Sequence, residues 1–365
     1  MTRALMLVSQ RADARLRADV AAGRWPCPEY IRLEENHGVE LLDWSRLARP
    51  VHQRTPASSL LHAAVAARKV SGYQVVFSDG EHVGIPLSLF LRARRASAPH
   101  LVLAHHITTP AKRRVFKLLS AQRGMSRILL HSRRQVAIAE HELGIPRSKL
   151  AFVPYFADSA FWAPRSLPEE PLVVAAGREH RDYASLAAAC AGMPERIAVA
   201  AGSFHSPRAP WRVPSTWPGN FDLVGILDRA GLRDLYARAM VVVIPVLPTD
   251  FQAGVTTLLE AMAMGKPVVV SATDGQRDIV EDGETGVLVP PGDAGALRAA
   301  IRRLLDDPGE RARLGRNARR AVEARFSLDV YTATLAGHID ELAEYAAPMR
   351  RGREVPEEGA TVGAT

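Results

Sequence analysis

Cysteine is nearly missing from this 365-residue chain, which has only Cys27 and Cys190. Two thiols exclude a disulfide framework and a zinc site built on cysteines, and they fit a reducing cytoplasm. No apolar run approaches the ~20 residues that a spanning helix needs. The longest, Met240 to Leu247, is interrupted by Pro245. Met1 to Arg15 has a short apolar patch and then alternating charges, unlike a secretory signal. Lysine is also scarce, at five of the 47 basic residues. That bias fits a high-GC, bacterial genome, so overall basicity is a weak guide to partners. There is no Asp-x-Asp pair of the kind that holds Mg2+ or Mn2+. No groove-reading motif or aromatic platform accompanies the basic residues, so nucleic acid is not an expected partner.

What is present describes a soluble α/β protein. The chain is 47% hydrophobic and 24% charged, which excludes disorder, collagen and coiled coil. At ~100–200 residues per domain, two domains are expected. Residues 1–165 hold 25 Lys+Arg against 12 Asp+Glu, whereas the remainder is net acidic although the whole chain is +8. The two halves should therefore meet different partners. Short β-branched runs alternate with helical patterns. Leu5–Ser9, Gln74–Ser78, His100–Ala104 and Ile128–His131 read as strands in the first half. In the second half, Leu172–Ala176, Ile197–Ala201, Asp222–Gly225, Met240–Pro245, Pro267–Ser271 and Gly286–Val289 do the same. Helical patterns lie between them, as at Ser59–Lys69, Arg133–Leu143, Leu232–Arg238 and Ala296–Asp306. This alternation predicts parallel sheets covered on both faces, one doubly wound sheet per half. Prolines 164, 168 and 171 punctuate the boundary in Ala163–Pro171. His205–Asn220 reads as a surface loop and Met349–Thr365 as a disordered tail.

In such sheets ligands bind beyond the carboxyl ends of the strands. The most specific stretch there is Phe251–Ser271, FQAGVTTLLEAMAMGKPVVVS. Gly254 ends a loop, and Val255 or Thr256 opens a short apolar helix that Gly265 and Pro267 close before a buried strand. Free N–H groups and the positive end of the helix dipole then face any phosphate at that mouth. Glu260 lies further in. A carboxylate there needs donors, which two ribose hydroxyls or an arginine would supply.

This stretch resembles the nucleotide-sugar site of retaining glycosyltransferases with the GT-B fold, especially glycosyltransferase family four. Their pattern is Glu, seven residues, then Glu-Ala-Met-Ala, Gly, x-Pro-Val. Here Glu260, Ala261-Met262-Ala263 and Gly265-Lys266-Pro267-Val268 match it, and Gly275, Ile279, Val280, Gly283, Gly286, Leu288, Val289, Pro290, Gly292 and Asp293 continue the likeness. The likeness is close over roughly 172–345 and faint over 1–165. Gln252 stands where the first Glu is expected. It keeps an acceptor oxygen but loses the charge, which points to an altered donor sugar or a weakened enzyme.

The resemblance implies two Rossmann-like domains, residues 1–164 for the acceptor and 165–327 for a nucleoside diphosphate sugar. A helix over 328–348 crosses back, and 349–365 forms the tail. It implies metal-independent transfer with retention and no cofactor. Arg178 matches a family Gly-Arg and Arg181 replaces a Lys, both on the diphosphate. Gly202 and Gly225 lie near base and ribose. Phe251, Ala253, Gly254, Val255 and Thr256 surround the donor, Glu260 holds the ribose and Gln252 the sugar. His106, with His105 as rival, matches a strand-end His beside the reacting sugar. Asp79 and Glu81, in a polar glycine turn, are candidate acceptor contacts. The glycine pair common after the first strand is absent at Ser9–Asp13. The basic stretches Arg92–Arg95 and Lys112–Lys117 suit a solvated face, an anionic membrane surface or an anionic acceptor. A non-catalytic nucleotide-sugar binder, an epimerase and a phosphorylase are the competing functions.

Overall fold

The computed structural model describes residues 2–47, 54–96, 98–202 and 212–351. Among the described residues the chain builds two six-stranded sheets. The first contains β1 (Ala4–Leu7), β2 (Glu40–Leu42), β3 (Val75–Ser78), β4 (His100–Ala104), β5 (Arg127–Leu130) and β6 (Leu150–Phe152), ordered β2-β1-β3-β4-β5-β6. The second contains β7 (Leu172–Ala176), β8 (Arg196–Ala200), β9 (Phe221–Leu223), β10 (Val241–Ile244), β11 (Val268–Ser271) and β12 (Val287–Val289), ordered β12-β11-β10-β7-β8-β9. Every neighbouring pair is parallel.

The sequence explains the burial. Runs such as Val241–Ile244 do not alternate with polar residues, because helices cover both faces of a parallel sheet. Two strands escaped the sequence reading, β2 and β6. Each has three residues and lies at a sheet edge, too short for a pattern to register. The order of each sheet reverses once, between β1 and β3 and between β7 and β10, and a crevice opens at the carboxyl ends of such a pair.

The apolar cores change hands between Val153, in the cluster of the first sheet, and Ala157, Phe161 and Trp162, in that of the second. That change precedes the proline-rich Ala163–Pro171. The chain crosses again at Ser327, where Ala157 N–H donates to the Phe326 carbonyl (2.9 Å) and Leu328 N–H to the Ala157 carbonyl (3.0 Å). The helix Leu328–Arg351 then places Leu328, Tyr331, Leu335 and Ile339 in the same cluster as Met6 and Phe77. Part of the expected loop at His205–Asn220 and of the expected tail at Met349–Thr365 lies outside the described residues. Trp217, from that loop, packs on Tyr183 and Phe221. No helix among the described residues is long and apolar enough to cross a membrane.

Candidate active site

The β7–β10 switch point carries a cavity of about 300 Å³. Its floor is set by backbone geometry. Gly254 precedes the helix Val255–Ala263 at φ 80°, in the left-handed region that favours glycine, and no side chain caps the helix. The first amides of the helix thus lack intrahelical acceptors and open towards the cavity that Gly254, Thr256 and Thr257 line. Val255 turns the other way, into the core.

Arg181 lies under this mouth, almost wholly buried. Its Nε donates to the Ala176 carbonyl (2.9 Å), one Nη to the Glu179 carbonyl (2.9 Å) and the other to Thr257 Oγ1 (3.0 Å). Carbonyls and a hydroxyl orient the guanidinium without neutralising it. Burial lowers its pKa, but an arginine stays charged. A Cβ on Gly177 would come within 2.5 Å of Arg181, and one on Gly254 within 2.7 Å. Both glycines make room for the buried cation. Arg178 lines the same cavity.

Glu260 lines it too and is only 4% exposed. Burial pushes its carboxyl up to about 7, against the pull of Arg229. Arg229 Nη1 is 3.3 Å from Glu260 Oε1. Arg229 was not expected from the sequence, although a signal existed. It occupies the first residue of the helix Arg229–Arg238, behind the Asp228 cap, where the helix dipole disfavours a cation. Its guanidinium lies 5.2 Å from the Trp25 ring, a contact from the second domain to the first. Tyr155, Ile226 and Leu227 also line the cavity, and of these only Tyr155 was not expected from the sequence. Gly202 belongs to the lining, with Ile226 so close that a Cβ would meet it at 2.8 Å. Gly225, at φ 70°, turns the loop that delivers Ile226 and Leu227.

The loop Asp250–Ala253 reaches the first domain. His106 stacks on Phe251 at 4.3 Å, and its Nε2 is 3.7 Å from Asp250 Oδ1. Burial and the Lys112 ammonium hold His106 below the usual imidazole value, so its ring is neutral near pH 7. The buried Gln252 donates through Nε2 to the Gly275 carbonyl (3.2 Å), while its Oε1 is buried without a partner. The Ala253 carbonyl accepts from Gln276 Nε2. A further bridge joins the domains where the Arg133 N–H donates to Asp278 Oδ2 (2.9 Å).

The expected acceptor residues come together, but they bind one another. Asp79 accepts from the Ser9 N–H (2.5 Å) and hydroxyl (2.9 Å). Glu81 accepts from the His105 N–H (2.9 Å) and the Lys112 ammonium (2.5 Å). His105 Nε2 meets the Asp79 carbonyl at 2.9 Å. Burial raises the Glu81 pKa, yet Lys112 and His105 outweigh it and hold the carboxylate well below its usual range. The turn expected at Asp79–Gly84 is also shorter than read, since the helix Glu81–Ala93 begins inside it. These groups tie the ends of β1, β3 and β4 together. Among the described residues no cluster of three His, Cys, Asp or Glu could hold a metal ion.

Comparison with solved structures decides the architecture. Anabaena HepE, determined in complex with UDP and glucose, superposes with a TM-score of 0.67 over 93% of this chain and 100% of that one, at 17% identity. Sucrose-phosphate synthase from Thermosynechococcus elongatus superposes with a TM-score of 0.68 over 95% of this chain and 100% of that one, at 19% identity. The fold is GT-B. Within this GT-B chain, residues 218–321 match the family Glycosyl transferases group 1. The segment contains Arg229, Gly254 and Glu260. An α-D-kanosaminyltransferase of Streptomyces kanamyceticus is 32% identical over 137 residues, covering 34% of this chain and 36% of the relative. An MMP α-(1→4)-mannosyltransferase of Mycolicibacterium hassiacum is 41% identical over 118 residues, covering 32% and 28% respectively. The chain thus spans about a third of the length of these curated relatives in its matches.

Proposed function

We propose that this GT-B protein is a glycosyltransferase. It moves a sugar from a nucleoside diphosphate sugar to an acceptor hydroxyl, with retention and without a metal. One observation carries the reading: the uncapped, glycine-led helix and the buried Arg181 converge on a cavity that Glu260 also lines. A diphosphate is the ligand such a mouth fits, because backbone amides and fixed guanidinium groups answer its charge. Arg178, Arg181 and Arg229 hold the leaving diphosphate and take over the role of a divalent cation. Glu260 accepts from ribose hydroxyls. Gly202, Gly225 and the Ile226–Leu227 loop flank the base.

The first domain supplies the acceptor and the second the donor, with the reaction in the cleft between them. Gln252, whose buried Oε1 has no partner, contacts the sugar. His106, neutral and set against Asp250, touches the sugar or the acceptor. Attack proceeds on the face that the diphosphate leaves, and the departing phosphate takes the acceptor proton. Positioning and charge stabilisation are then the protein's contribution. The chemistry belongs in the cytoplasm, where nucleotide sugars are made. The basic helix Pro110–Leu119, with Leu118 and Leu119 exposed, supports peripheral contact with an anionic membrane.

Titration with UDP, GDP, ADP and TDP tests the site, and a nucleotide-sugar panel tests turnover through slow release of nucleoside diphosphate. Release that disappears in Arg178→Ala and Glu260→Ala supports the transferase. Binding without release across acceptors supports a nucleotide-sugar sensor, and absence of any nucleotide binding removes the proposal.

A further inference from the structure

A second cavity, of about 930 Å³, opens at the other end of the first sheet, near the amino ends of β4 and β5. Five cations line it (Arg92, Arg95, Arg123, Arg127 and Lys149) against one carboxylate, Glu341. It shares no lining residue with the cavity at β7–β10.

Three of the cations are held by neighbouring groups. Arg92 Nη1 donates to the carbonyls of Leu119 (2.7 Å) and Ser120 (3.0 Å). Lys149 Nζ donates to those of Gln122 (3.1 Å) and Met125 (2.7 Å). Arg127 Nη1 binds Glu341 and lies 2.9 Å from His338 Nδ1. Carbonyls orient a cation without cancelling its charge, and each guanidinium keeps Nε and its other amino group for a ligand. Arg95 and Arg123 are exposed, and the side chain of neither is engaged by a hydrogen bond or ion pair among the described residues. Arg95 also has φ 51°, just beyond the helix Glu81–Ala93, at a position where glycine ordinarily sits. The chain keeps an arginine there at a conformational cost, and the side chain lines the cavity.

We propose that this cavity binds a small phosphorylated ligand, gripped by Arg95 and Arg123 and framed by Arg92, Arg127 and Lys149. Guanidinium forks match phosphate oxygens, and the volume suits a small molecule better than a bare ion. The same chemistry would come from a soluble phosphorylated metabolite or from the headgroup of a phospholipid. In either case the ligand competes with Glu341 for Arg127, and so touches the helix that returns from the second domain.

The test is calorimetric titration of the full chain with inorganic pyrophosphate, alongside co-sedimentation with vesicles of equal parts phosphatidylcholine and phosphatidylglycerol. The variant is Arg95→Gly with Arg123→Ala, since glycine suits the backbone at residue 95 and should preserve folding. Arg178→Ala removes the contribution of the cleft, and Glu341→Gln removes the competing carboxylate. The expected result is saturable pyrophosphate binding that weakens by about tenfold or more in the double variant, persists in Arg178→Ala and strengthens in Glu341→Gln. Sedimentation that depends on Arg95 and Arg123 and is displaced by pyrophosphate assigns the site to a lipid headgroup; pyrophosphate binding without it assigns the site to a soluble ligand. Identical behaviour of wild type and double variant with both probes, or loss of all pyrophosphate binding in Arg178→Ala, overturns the proposal.

Discussion

The two walls of the cleft hold similar groups and use them differently. At the carboxyl edge of the second sheet, Arg181 and Glu260 border a cavity, with Arg229 answering only one Glu260 oxygen. At the corresponding edge of the first sheet, Asp79, Glu81 and His105 are bonded to Ser9, Lys112 and one another. One wall leaves the first amides of a helix open to a cavity, even though Arg181 is already held by protein acceptors, and the other spends its carboxylates on holding three strand ends in register. A polar residue at a strand end is therefore not yet a binding residue. What matters is whether its donors and acceptors are still available.

The sharpest way to break this comparison is Gly254→Ala. The added Cβ would meet Arg181 at 2.7 Å, and φ 80° is strained for alanine. Nucleoside diphosphate affinity should fall by about two orders of magnitude or more, with about 1–3 kcal/mol of stability lost, as read by calorimetry and thermal melting. Next comes Glu260→Ala, which deletes the proposed ribose acceptor and leaves Arg229 without its carboxylate. A charged hydrogen bond at roughly 1.5–3 kcal/mol predicts about 10- to 100-fold weaker nucleotide binding. Glu81→Gln should do the reverse. Its buried carboxylate holds Lys112 and the His105 amide, so about 1–3 kcal/mol of stability should be lost while donor affinity stays unchanged. A large loss of nucleotide affinity there would erase the distinction between the walls.

A smaller effect concerns pH. Burial raises the Glu260 pKa to about 7, so below that value the unliganded carboxyl carries a proton. Ribose hydroxyls donate to the carboxylate, so nucleotide affinity should rise with pH, by at most about tenfold per unit, and level off above 7. Glu260→Gln should flatten the profile. The smallest change is Gln252→Glu, which should alter the choice of donor sugar in a competition assay rather than nucleotide affinity.

Much of the fold could be read directly. Uninterrupted runs such as Val268–Val270 belong to a strand covered on both sides, and the Gly265–Pro267 stop marks where a helix must end. The lining of the β7–β10 cavity was legible for the same reason, because Gly254, Arg178 and Arg181 occupy strand ends and a helix start that local sequence defines. Arg229 was not, since its meaning depends on Glu260 meeting it from another element. The mutual bonding of Asp79, Glu81 and His105 was not legible, because their partners, Ser9 and Lys112, are distant in sequence. Tyr155 was hidden for a related reason: it stands on the crossing between domains, which carries no periodic pattern.

That crossing has one more consequence. The outgoing segment at Ala157 and the returning segment at Ser327 clasp each other by two backbone bonds. A single peptide cut at either crossing would therefore leave the halves still fastened by the other.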